Sequence, residues 1–156
     1  HRACPHARCV MHVHSIHATV LACLADSRLP AVDQNSAMFH GRHVVDASYG
    51  GMAFEEEGAR CAALLRNPKV RTMIMGNHGV LVIGETVAET FNRLYYFERA
   101  AETYVRALQT GQPLRVLSDE IAEKIAQEWE AYPDLAGRFL SEIRAMLDAE
   151  GADYTD

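Results

Sequence analysis

Val10-Met11-His12-Val13-His14-Ser15 is the stretch on which the reading of this chain turns. It sets two histidines two residues apart inside an apolar run. In an extended strand, residues i and i+2 point to the same face, about 6.5–7 Å apart along the chain. Two imidazoles can then lean onto one cation. A third ligand must come from elsewhere, and the candidate is His78, in Gly76-Asn77-His78-Gly79. The apolar runs on either side, Val70 to Met75 and Val80 to Ile83, make that segment the turn of a β-hairpin. Its glycines let the backbone come close to a neighbour. Three neutral imidazoles with an open position form the layout of a catalytic zinc or related divalent site, able to polarise a carbonyl or hold an enediolate.

Outward from these motifs, strands and helices mix along the chain. Arg8 to His14 predicts a strand, with Ser15 placed to cap a helix over Ile16 to Ala25. Gln34 to Phe39 predicts a short helical turn and Arg42 to Ala47 a second strand. Phe54 to Leu65 predicts a helix whose first turn carries Glu55, Glu56 and Glu57, a solvated start that complements the helix dipole. Thr86-Val87-Ala88-Glu89 matches a capping box ahead of a long helix that Gly111 and Pro113 end. Two amphipathic segments follow, Ser118 to Ala131 and Asp134 to Ala149, and the polar tail 151–156 is expected to fray. At 156 residues and 49% apolar, the chain is one α/β domain, 1–156, with a helical C-terminus.

A net charge of -6 and no basic face exclude nucleic acid and anionic membrane as main partners. No apolar run approaches the roughly 20 residues of a membrane span. Cys4, Cys9, Cys23 and Cys61 form no CxxC pair; Cys23 and Cys61 fall in apolar helical patterns and are expected as core residues. Free thiols suit a reducing, cytoplasmic setting. His1-Arg2-Ala3 reads as the tail of a helix ending at Pro5, which leads us to expect a further segment upstream.

Other chemistry-bearing residues are weaker candidates. His17, one turn after His14, is expected to pack, and His40 and His43 to lie at the surface. Tyr49, a phenol beside glycines, is a candidate proton donor. There is no P-loop, GxGxxG or nucleophile elbow.

Taken together, VMHVHS with the following IHATVLACLA, and then GNHGVLVIGETVAETFNRLYYFERAAETYVRAL, resemble the class II aldolase/adducin family over about Pro5 to Gln112. Leu29-Pro30, Gln34, Tyr49-Gly50 and Glu57 in the linking segment are closer to its adducin-like bacterial branch. The resemblance implies a three-layer α/β/α domain around a mainly antiparallel sheet, here without its N-terminal part. It implies His12, His14 and His78 as ligands of a divalent metal, zinc foremost, with Mn2+, Co2+ or Fe2+ as alternatives. It further implies a metal-dependent lyase of carbohydrate metabolism, acting on a small hydroxy-carbonyl or sugar-phosphate substrate through an enediolate. A decarboxylase, a dehydratase, an epimerase or a non-catalytic adducin-like binding domain are alternatives on the same scaffold. In the family an acidic base precedes the HxH strand, and homotetramers place the site at a subunit boundary, where a neighbour's tyrosine donates a proton. Tyr132 is the candidate for that tyrosine.

Overall fold

A computed structural model describes residues 1–48, 51, 54–132 and 134–154. Four strands form one sheet: β1 (Cys9–Val13), β2 (His43–Asp46), β3 (Thr72–Met75) and β4 (Gly79–Gly84). Their order is β1-β4-β3-β2, with β1/β4 and β3/β4 antiparallel and β2/β3 parallel. The helices are α1 (Ile16–Ala22), α2 (Gln34–Ala37), α3 (Phe54–Leu64), α4 (Val87–Gln109), α5 (Asp119–Ala131) and α6 (Leu135–Ala149).

Side-chain alternation sorts the core into two layers. Ile74, Val80 and Val82 face one side, where they pack with Leu21 of α1, Phe39 and Phe97 of α4. Met73, Met75 and Ile83 face the other, against Leu65, Cys4 and Ala7, with Cys61 and Ala62 of α3 beside them. The sheet is thus sandwiched between helical layers, the expected α/β/α arrangement. On β1, Met11 and Val13 join the first layer, so the register turns His12 and His14 to the α3 side.

The expected elements are present, with instructive differences. The long helix begins at the expected cap: Thr86 Oγ1 accepts from the Glu89 amide at 3.1 Å. The Glu89 carboxylate reaches one residue further back, accepting from the Glu85 amide at 3.0 Å. Residues His1–Ala3 are irregular, not the expected helix tail. Cys23, the capping residue that follows buried Leu21 and Ala22 of α1, falls off their face and is exposed, whereas Cys4 is buried; all four cysteines are free thiols. His43 is not a surface residue. Its Nδ1–H donates to Phe39 O at 2.9 Å while its Nε2 accepts from the Leu29 amide at 3.3 Å, and burial pushes its pKa below the usual histidine value. Among the described residues, no helix is long and apolar enough to cross a membrane.

Candidate metal centre

The three histidines meet. Ligand-capable atoms of His12, His14 and His78 all lie within 4.8 Å of one another. Their ring centroids are 4.7–4.9 Å apart, with planes inclined by 62–77°. Each arrives by a different local device.

His12 comes from β1. Its Nδ1–H donates to the Val80 carbonyl at 3.0 Å, a bond across the β1/β4 pair. A carbonyl only accepts, so this bond fixes the neutral tautomer and leaves the Nε2 lone pair for a cation. That Nε2 stands 3.0 Å from His14 Nε2. Two nitrogens on one tetrahedral zinc, each at about 2.0–2.1 Å, are separated by about 3.3 Å. The pair therefore has the spacing of shared coordination. Burial, followed by the neighbouring His78 and His14, keeps the His12 pKa below the ordinary value although the Val80 bond opposes it. The neutral form that ligation needs is favoured.

His14, the residue just past the end of β1, lies against Gly79. A Cβ on Gly79 would stand 2.5 Å from Val13 O and 2.9 Å from His14 Cδ2. The glycine after His78 is thus demanded by the backbone and side chain beside it, not only by turn chemistry.

His78 is carried by the hairpin tip, which is pinned on two sides. Gly76 donates its amide to Asp46 O at 2.7 Å, at the end of β2, where a Cβ would come within 3.1 Å of the same oxygen. Asn77 takes the left-handed conformation, φ 56°, which asparagine tolerates. Its amide donates to Ala22 O at 2.9 Å, satisfying an orphan carbonyl in the last turn of α1.

Helix α3 then brings a carboxylate. Glu57 Oε1 is 3.8 Å from His78 Nδ1, and it is buried without a hydrogen-bond partner among the described residues. The helix is held there by Arg60, whose Nε donates to buried Asp46 at 2.8 Å. Glu57 is therefore not part of a purely solvated helix start. Its neighbour Cys61 stays a thiol, since burial pushes its pKa up.

Ser15 does not cap α1 with its own side chain. Its hydroxyl donates to Glu98 Oε2 at 2.6 Å, and the Glu98 carboxylate caps the helix instead, accepting from the His17 and Ala18 amides at 3.0 Å. His17 Nδ1 is 2.9 Å from the same carboxylate, so this histidine makes a polar clasp where packing was expected. Burial works against the Glu98 charge, but the hydrogen bonds from Ser15, His17 and Ala18 outweigh it and hold the carboxyl below its ordinary pKa. The available signal was its place on the long helix: Leu94, Glu98, Ala101 and Val105 form one stripe at 3–4 residue spacing, so a carboxylate sits at a core-facing position.

Of the tyrosine candidates, Tyr49 lies outside the described residues. Tyr132 is 58% exposed at the end of α5 and lines, with Trp129, a cavity that His12, His14 and His78 do not line.

The model of the class II aldolase and adducin N-terminal domain matches residues 1–105. The chain belongs to that family. Among class II aldolase/adducin relatives, it is 28% identical over 132 residues to the 5-methylthioribulose-1-phosphate/5-deoxyribulose-1-phosphate aldolase of Rhodospirillum rubrum, covering 85% of this chain and 58% of that protein. Human gamma-adducin is 28% identical over 104 residues, covering 67% of this chain and 14% of the adducin. An aldolase II superfamily protein from Pseudomonas syringae superposes with a TM-score of 0.82 at 26% identity, over 94% of this chain and 59% of that structure. L-fuculose 1-phosphate aldolase from Glaciozyma antarctica PI12 shares the fold, with a TM-score of 0.75 at 18% identity over 92% of this chain and 54% of its own. The chain thus spans little more than half the length of these aldolases.

Proposed function

We propose that the protein is a metal-dependent lyase of the aldolase type, acting on a small hydroxy-carbonyl or sugar-phosphate molecule. The observation that carries this reading is the convergence of His12, His14 and His78, with the His12 tautomer set by Val80. Three neutral imidazoles suit zinc best, and manganese, cobalt or ferrous iron as alternatives. A divalent cation held there supplies Lewis-acid polarisation of a substrate oxygen. The chain's own residues do the rest. Val80 O orients the outer nitrogen of His12, and Glu57, 3.8 Å from His78 Nδ1, adds a negative charge beside the site. His12 and His14 are exposed, so substrate can reach them from solvent.

The names of the relatives support the substrate class, since the Rhodospirillum protein and the Glaciozyma protein are both named as sugar-phosphate aldolases. We further read the protein as a homo-oligomer. Val10, Ile16 and Val20, on and beside the histidine strand, are 41%, 74% and 41% exposed, an apolar surface that a second copy can cover. Decarboxylation, dehydration or epimerisation would use the same centre, whereas an adducin-like binding role has no use for three converging imidazoles.

The test is elemental analysis of the full-length protein, followed by a retro-aldol and decarboxylation screen with and without chelator. One divalent ion per chain and chelator-sensitive cleavage of a sugar phosphate are expected. Protein that purifies without metal and cannot be loaded refutes the reading.

A further inference from the structure

The end of the sheet away from the histidines holds a second cluster of polar groups that the metal centre does not use. A cavity of about 670 Å3 opens there between α4, α5 and α6. Three of its lining residues, Asn92, Arg93 and Trp129, carry polar atoms left over by the fold. Asn92 is 6% exposed, and its Oδ1 is buried with no hydrogen-bond partner among the described residues. Trp129 Nε1, a donor with no other role, is buried and likewise without a partner. Arg93 spends one guanidinium nitrogen, Nη1, on the Ile83 carbonyl at 2.6 Å and forms no ion pair among the described residues.

That last point separates Arg93 from its neighbour in the same cavity. Arg42 is 4% exposed and is neutralised by Glu130, with a bond of 2.9 Å, and by Glu123. Burial disfavours the charge on Arg93 and nearby Arg71 disfavours it further, and together they outweigh the opposing pull of Glu89 and Glu130. A guanidinium does not shed its proton at any ordinary pH, so the charge persists and asks for a counter-ion. Three carboxylates also line the cavity, Glu89, Glu130 and Asp134; the last two are 54% and 72% exposed, and none forms an ion pair with Arg93 among the described residues.

We propose that this cavity is a second ligand site, for a small oxyanion, carboxylate or phosphate, that also carries a hydroxyl. Arg93 and Trp129 Nε1 donate to the oxyanion and Asn92 Oδ1 accepts from the hydroxyl. Each buried polar atom then has the partner that its burial calls for. A charge-assisted bond from a guanidinium in a half-dry site supplies most of the affinity.

The test is calorimetric titration of the full-length protein, stripped of metal, with glycolate and with inorganic phosphate as separate probes. Saturable binding of one probe is expected at one site per chain, accompanied by a change in Trp129 emission. The preferred probe decides between carboxylate and phosphate. Arg93→Met should weaken binding about tenfold or more. Because Arg93 also holds Ile83 O, Trp129→Phe serves as the second variant. It replaces the indole with a smaller phenyl ring that has no N–H to donate, and should weaken binding severalfold by calorimetry. His12→Ala should bind the probes like the parent, which separates this site from the histidine centre. The proposal is overturned if neither probe binds saturably, or if Trp129→Phe and a folded Arg93→Met both bind like the parent.

Discussion

At the Val13–Gly79 end of the sheet, three imidazoles are gathered around a space that suits a cation. At the Arg42–Ile83 end, two guanidinium groups are drawn into the protein, one clasped by two carboxylates and one not. The same four strands support both ends, yet the energetic problem differs. Neutral donors can be brought together at little electrostatic cost, and their gathering stabilises nothing until a ligand arrives. Buried cations cost several kcal/mol each unless they are paired, a cost that Arg42 offsets with Glu123 and Glu130. The comparison teaches that the histidine end is built for binding, and the arginine end mainly for holding α5 against the sheet.

The largest effect should come from breaking the histidine end at its centre. His12→Ala or His78→Ala should abolish metal binding while leaving the melting temperature of the metal-free protein nearly unchanged. Full metal occupancy by elemental analysis in either variant would show that the three-histidine set is wrong. The reverse is expected at the other end. Arg42→Met should leave metal content intact but destabilise the fold by about 2–3 kcal/mol in urea unfolding. That is below the ~3–5 kcal/mol of a fully buried pair, because Glu130 is half in water.

Gly79→Ala tests whether the two ends can be uncoupled. The new Cβ would meet Val13 O at 2.5 Å, so β1 and β4 must part locally and carry His14 with them. A loss of about 1–3 kcal/mol of stability, as for other overpacked sites, is expected together with weakened zinc binding. Unaltered zinc affinity would mean that His14 is not held by this contact. Glu57→Gln should then lower zinc affinity by about 10–100-fold, the usual worth of a carboxylate behind a ligating histidine, with little change in unfolding. Competition with a chromogenic chelator measures this directly, and equal affinities would remove Glu57 from the centre.

The smallest effect concerns Glu98. Its folded pKa is depressed, so its contribution is present above the ordinary carboxylate value of about 4.3 and fades as pH falls through the depressed one. Glu98→Gln should cost about 1 kcal/mol at neutral pH, a typical loss for a helix cap, and flatten the acid limb of the stability curve. An acid limb identical to that of the parent would contradict the clasp on α1.

Much of the histidine end is legible in the chain itself because its logic is local. The two-residue period that puts His12 and His14 on one face is a property of any extended strand, and a Gly-Asn-His-Gly segment between apolar runs can do little but turn. The expectation at Ser15 went wrong for an equally physical reason. A serine before a helix predicts a cap, but a carboxylate offers the same amides a stronger, charged acceptor, and Glu98 reaches them from 80 residues further on. His43 was misplaced likewise, since only the packing of Phe39 and Leu29 around it shows that both ring nitrogens are engaged.

The sequence alone, then, determined the alternation that aims the two strand histidines, the hairpin that presents the third, the long capped helix and the α/β class. These follow from backbone geometry over a few residues, where covalent distance does the selecting. The tertiary structure alone decided that the three imidazoles meet, that Glu57 stands behind one of them, that Glu98 closes α1, and that Arg42 finds Glu130 while Arg93 donates to the Ile83 carbonyl. Most such pairings join residues scores of positions apart, and only the packing of helices on both faces of the sheet chooses among the many carboxylates each cation or amide could have met.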